Sequence, residues 1–181
     1  MLRRTLFLLA VLSLTLPLPF LLAVKEASPE RPFSIQLSKE WMELDLPFQG
    51  VIASYGRKGT LATFHITERK LDDVKTVGQL KWKDLFNPEF ESIEIHKQGD
   101  ILLAGEKARF CIYSLRSGDF KKKMEGKLAA KYINYVLIHQ GRLFSITFKD
   151  TEDGFALNYP SFLTAIRTFH FNEPASLGRK R

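Results

Sequence analysis

The sequence predicts an α+β fold: a curved antiparallel β-sheet of about six or seven strands flanked by two or more helices. Three observations predict it. Apolar residues recur at every second position through much of residues 33–171, short glycine-bearing segments separate the alternating runs, and two stretches switch to helical spacing. With one helix early, one late and strands between them, an antiparallel α+β arrangement is expected rather than a parallel βαβ fold.

Taken in order, Phe33, Ile35 and Leu37 alternate with polar residues and read as a first strand. Residues 51–55 and 61–67 follow as a hairpin, with a turn over residues 56–60 that contains Gly56 and Gly59. In the second of these runs Ala62, Phe64 and Ile66 fall on one face and Thr63, His65 and Thr67 on the other, as in a sheet with one wetter side. Residues 74–86 change period. Val74, Val77, Trp82, Leu85 and Phe86 cluster on one side of a helical wheel, Asp72 and Asp73 stand at the end that favours carboxylates, and Asn87-Pro88 stops the run. Ile93 and Ile95, residues 101–103 and residues 108–115 return to strand character. Gly99-Asp100 and Gly105 punctuate them, so a hairpin or a strongly bulged strand is expected there. Residues 132–139 and 143–148 form the clearest antiparallel pair, joined through Gln140-Gly141. Finally Pro160 suits a first helical position, and Phe162, Ile166 and Phe169 follow at helical spacing.

Ahead of this domain, Arg3 and Arg4 precede an apolar run over residues 6–24, the form of an export signal. The run is near the lower end of a spanning length, and it exceeds a usual signal h-region. Ala23 and Ala27 offer cleavage positions, so a removed signal peptide and a retained membrane anchor both fit residues 1–27. The expected organisation is that leader, a linker over 28–32, one domain over 33–171 and a flexible basic tail over 172–181. The location expected is extracytoplasmic, in the periplasm or cell envelope.

Of the 27 Lys and Arg and 20 Asp and Glu residues, three basic and one acidic lie in or beside the leader, which leaves the exported part at about +5. The excess is concentrated at Lys121, Lys122 and Lys123 and in the tail, where it could meet an anionic membrane surface or an acidic protein. The export signal points away from nucleic acid, and no basic-aromatic recognition motif accompanies the lysines. Cys111 is the single cysteine, so neither an intrachain disulfide nor a cysteine metal cluster can form, and its apolar surroundings make it a buried thiol.

The order of elements and several local patterns resemble the PsbP-like family, which takes in the photosystem II extrinsic protein and the bacterial envelope protein DcrB. The resemblance covers roughly residues 33–171. It rests on Phe33-Ser34-Ile35 leading to Trp41, on Gly105-Glu106-Lys107-Ala108 entering a central strand, on Gly141-Arg142-Leu143-Phe144 opening a late strand, and on Phe162, Ile166 and Thr168-Phe169 closing the domain. It implies a curved antiparallel sheet with helices on both sides, an α/β/α sandwich, and a non-catalytic binding or accessory role. Two features depart from the family. Ser38-Lys39-Glu40 stands where a proline often precedes the tryptophan, and the lipid-carrying cysteine of many bacterial members is missing.

Catalytic chemistry has no sequence signature here. His65, His96, His139 and His170 are isolated and lack metal-ligand spacing, although His65 and His96 could meet if their strands were neighbours. No nucleophile elbow or phosphate-binding glycine loop occurs, and neither Asp72-Asp73 nor Glu152-Asp153 has the spacing of a calcium loop, so these pairs read as helix-start or turn residues. No cofactor is expected. The reading is an exported, non-enzymatic accessory domain that docks on another envelope protein. Lys121, Lys122 and Lys123 are the candidate contact residues, and Trp41 and Trp82 serve either as core anchors or as groove-lining contacts. The alternative is a carrier or sensor of a small apolar or lipidic ligand held between sheet and helix.

Overall fold

A computed structural model describes residues 31–45, 48–71, 76–85, 92–116 and 130–172. Nine strands are present among them: β1 (Phe33–Ser34), β2 (Trp41–Glu43), β3 (Val51–Arg57), β4 (Thr63–Lys70), β5 (Ser92–Leu103), β6 (Glu106–Arg116), β7 (Ala130–His139), β8 (Arg142–Thr151) and β9 (His170–Phe171). β2 to β8 form one seven-stranded sheet in the order β2-β3-β4-β8-β7-β6-β5, antiparallel throughout. Two meanders, β2-β3-β4 and β5-β6-β7-β8, thus meet at the β4–β8 pair. The first expected strand is shorter than its alternation suggests, because only Phe33 and Ser34 find a partner. They pair with β9 in a separate two-stranded sheet, Phe33 opposite Phe171.

The turns explain the hairpins. Gln140 and Gly141 have φ of +49° and +73°, and Ala104 and Gly105 have φ of +53° and +79°. Paired positive values are what a two-residue turn needs to match the twist of its strands. At the β5–β6 turn, the first position is filled by an alanine against its conformational preference. Of the hairpin or bulged strand expected around Gly99-Asp100 and Gly105, the hairpin turns at Gly105, while Gly99-Asp100 lies inside β5, which runs on to Leu103. The irregularity sits instead between Ile95 and Lys97, where His96 is the extra residue of a bulge. Gly99 has another use: a Cβ there would approach the Phe110 ring on the neighbouring strand to 3.0 Å.

One face of the sheet is covered by α2 (Glu152–Ile166). The helix begins eight residues before the expected start at Pro160, which sits in its interior instead. The start is decided by Thr151, whose hydroxyl accepts the Gly154 N–H at 3.0 Å, and by Glu152 and Asp153 at the positive end. Those local gains outweigh the preference of proline for a first turn. Phe155, Phe162 and Ile166 then form the stripe that packs on Phe64, Ile146 and Phe148. Phe162 stacks on Phe148 at 4.8 Å between centroids and lies 5.3 Å from Phe64, so the layer between helix and sheet is largely aromatic. Burying one such ring contributes about 1.5–3 kcal/mol, with about 0.5–1.5 kcal/mol more for a favourable ring pair.

The opposite face is covered differently from the expected helix layer. Within the described part of residues 74–86 there is a 3-10 turn at Val77–Gln79 and a single helical turn, α1 (Trp82–Leu85), with Leu80 in extended conformation between them. Gly78 weakens helix formation here, and burial decides the rest. Leu80 and Trp82 drop onto Cys111, Tyr113, Leu115, Val136 and Leu143 of the sheet. The α+β class stands, with one full-length helix among the described residues rather than two. Asp72, Asp73, Val74 and Phe86 lie outside the described residues.

Candidate functional site

The two tryptophans anchor opposite faces. Trp41 is 6% exposed, meets Phe64 edge-on at 5.0 Å and donates its indole N–H to Ser161 Oγ at 3.0 Å, which ties β2 to α2. Trp82 is 8% exposed, and the Arg109 guanidinium lies 5.6 Å from its ring while donating to the Leu80 carbonyl at 2.8 Å. Both indoles are core residues by placement. Lys121, Lys122 and Lys123, the leader and, apart from Asn172, the basic tail lie outside the described residues. The Cys111 thiol is fully buried, and burial pushes its pKa up to about 11, so little thiolate forms at neutral pH.

Each histidine has its own local partner. His65 and His96 are not on neighbouring strands: β4 and β5 stand apart with β8, β7 and β6 between them. His139 Nδ1 lies 2.8 Å from Glu106 Oε1 and its ring stacks on Phe171 at 3.8 Å, while His170 Nδ1 faces the Thr168 carbonyl at 2.9 Å. Register, which periodicity alone does not reveal, produces two Ser–His couples. Ser54 Oγ is 2.9 Å from His65 Nδ1 across the β3–β4 pair, and Ser114 Oγ is 2.7 Å from His96 Nε2 across β5–β6. A nucleophile would need its hydroxyl open to substrate. Ser54 and Ser114 are 2% and 4% exposed, so both couples act as satisfied cross-strand hydrogen bonds. Burial, with Lys149 nearby, lowers the His65 pKa and keeps the ring neutral.

A second polar cluster joins α2 to the sheet. Asp150, buried just before the helix, accepts from the Thr151 N–H at 2.7 Å and from Asn158 Nδ2 at 2.6 Å. Asn158 Oδ1 in turn accepts from Arg57, whose Nη2 donates to Glu40 Oε2 at 2.8 Å. Every member has a partner within the chain, so the cluster is structural.

The surface is more informative than the interior. The two edges of the main sheet differ: β2 has 3 residues, whereas β5 has 12 and pairs with β6 alone among the described elements. Along β5, Ile95 and Leu102 are 46% and 74% exposed. Beside Leu102 a groove of about 670 Å³ opens between the 3-10 turn and the β5–β6 hairpin, bordered by Thr76, Val77, Asp100 and Lys107. The sequence reading missed this edge because Gly99-Asp100 hid the length of the strand. The signal was the apolar run Ile101-Leu102-Leu103, which continues strand character directly beyond Gly99-Asp100.

Comparison with known proteins supports the fold. No protein-family model matches the sequence, and no curated protein matches it in sequence. Among solved structures, cyanobacterial PsbP (CyanoP) from Synechocystis sp. PCC 6803 is similar over 78% of this chain and 87% of its own, with 14% identity and a TM-score of 0.56. LpqN, involved in cell envelope biogenesis of Mycobacterium tuberculosis, is similar over 82% of this chain and 88% of its own, at 11% identity and a TM-score of 0.57. The Saccharomyces cerevisiae Ran-binding protein Mog1p is similar over 77% and 90%, at 9% identity and a TM-score of 0.53. At such identities the likeness is one of fold. The chain has the PsbP-like fold that its sequence patterns suggested.

Proposed function

We propose that this chain is an exported, non-catalytic accessory domain of the cell envelope that docks on another envelope protein. The observation that carries the reading is the filled interior. Phe64, Phe148 and Phe162 occupy the layer between α2 and the sheet with centroids 4.8–5.3 Å apart, so no ligand fits between helix and sheet there. Recognition is then left to the outer surface. Occurrence of the fold in LpqN, described as involved in cell envelope biogenesis, and in the Ran-binding protein Mog1p lends support at the level of analogy. In this reading Lys121, Lys122 and Lys123 face an acidic partner surface, and the N-terminal leader supplies the location.

The test uses the full chain, cross-linked in membranes and purified. A defined partner is expected, and changing Lys121, Lys122 and Lys123 together to Glu should reduce its recovery in low salt more than in high salt. Equal recovery by both forms would remove the lysines from the interface, and the absence of any specific cross-linked species would remove the docking function.

A second reading, a carrier of a small apolar ligand, draws on the groove beside Leu102. Its volume lies within the range of small-molecule sites. Native mass spectrometry separates the two, because a copurifying small molecule would support the carrier.

A further inference from the structure

We propose that β5 is the seam of a symmetric dimer, in which the edges of two copies pair antiparallel about Gly99 and join two sheets into one. This goes beyond docking on another protein and is tested without it. An edge without a strand partner, as β5 has among the described residues, is a liability that proteins blunt by shortness, proline, charge or a bulge; β5 carries Lys97 and a bulge at His96, yet it is neither short nor broken by proline. The β2 edge is blunted by its 3 residues; the β5 edge has 12, with no proline among them. Such a length is about twice the common strand.

The occupant follows from the pattern along the strand. Cross-strand neighbours in an antiparallel pair must share a face. Pairing with β6 puts Ile95 opposite Tyr113 and Leu102 opposite Lys107, on the same face of the sheet although their separation is odd, because the bulge at His96 resets the alternation. With Gly99 opposite Gly99, Gln98 meets Asp100 of the second copy and Lys97 meets Ile101. Past the bulge, Ile95 meets Leu102. The two exposed apolar residues of the strand therefore cover each other twice, once on either side of the symmetry axis. Leu102 also borders the groove, so Ile95 of the second copy arrives at its mouth. The adjacent face-preserving registers are worse. Centring on Gln98 sets Ile95 against Asp100, and centring on Asp100 sets two carboxylates directly opposite each other. The Gly99 register opposes no like charges and sets the two exposed apolar residues of the strand, Ile95 and Leu102, against each other. A strand from an unrelated protein would have no reason to meet this self-complementary pattern.

The experiment measures the mass of the full chain in detergent by sedimentation across a wide concentration range, then repeats it for Ile95→Lys/Leu102→Lys. Both positions are exposed, so the variant should keep the wild-type circular dichroism spectrum and melting behaviour. A dimer is expected, with its dissociation constant raised about 100-fold in the variant. Register is read separately from single-cysteine chains. Under mild oxidation Ile95→Cys mixed with Leu102→Cys should form a covalent dimer, whereas neither alone should do so efficiently, and buried Cys111 does not compete. Three results would overturn the proposal: a monomer at millimolar concentration, a dimer unaffected by the two lysines, or cysteine variants that cross-link equally well alone. A monomer whose β5 amides become protected only when a different protein is added would assign the edge to that protein instead.

Discussion

Gly154 offers a substitution for which local preference and tertiary structure give opposite signs. It lies in the first turn of α2, where replacing glycine by alanine in an ordinary helix stabilises by about 1 kcal/mol. Here the added methyl carbon would stand 2.6 Å from Asp150 Oδ2 and 2.8 Å from both Cγ and Oδ1. The carboxylate is 3% exposed and is held by the Thr151 N–H and by Asn158, which Arg57 holds in turn. To make room it must loosen at least one hydrogen bond to a buried charged group, at about 1.5–3 kcal/mol each. The net expectation for Gly154→Ala is a destabilisation of about 0.5–2 kcal/mol after the helical gain is subtracted. Urea unfolding followed by ellipticity at 222 nm measures it. Placing the same substitution in an Asp150→Ala background completes a double-mutant cycle, and there alanine should recover its stabilising sign. If Gly154→Ala is more stable than the parent chain, the steric argument at this helix start is wrong.

Two further outcomes follow from the same kind of reasoning. Ala104→Asn should raise stability by about 0.5–1 kcal/mol, because asparagine tolerates the positive φ that alanine adopts at a cost, and an Asn-Gly pair suits the two-residue turn; a lower melting temperature for the variant would argue against strain at this position. His65 has a folded pKa below its ordinary value, so as pH falls through the ordinary histidine range the unfolded chain binds the proton first. Stability should therefore decline from pH 7 towards the folded pKa and then level off. His65→Asn should lose this part of the decline, and equal pH slopes for the two proteins would refute it.

Where the sequence was legible, one local feature determined the structure. Gln140-Gly141 marked its hairpin because a glycine and its neighbour sit between two alternating runs, and the same alternation assigned Ala62, Phe64 and Ile66 to the buried face. The rest depended on partners distant in the chain. Gly99 looked like an interruption, yet it is a vacancy filled by the ring of Phe110. Pro160 looked like a helix start, yet β8 passes into α2 at Thr151 without a loop for a boundary to appear in. Trp82 sits in a short turn whose form is set by the sheet beneath it. Of the site, Trp41 and Trp82 were visible as residues of the core or a groove, but that β5 pairs with β6 alone among the described elements could not be read before the strand order was known.

The two-residue pairing of β1 with β9 carries a consequence for how the protein is made. Among the described residues, Phe33 and Ser34 find their strand partners at Phe171 and His170, and the Asn172 N–H closes on the Pro32 carbonyl at 3.0 Å. A chain emerging N-terminus first must therefore wait until Asn172 has been synthesised, or has crossed a membrane, before this clasp can shut. Both ends of the domain then leave from one place, so a tether before Pro32 and an extension after Asn172 would share a point of attachment and leave the far side of the sheet free to swing.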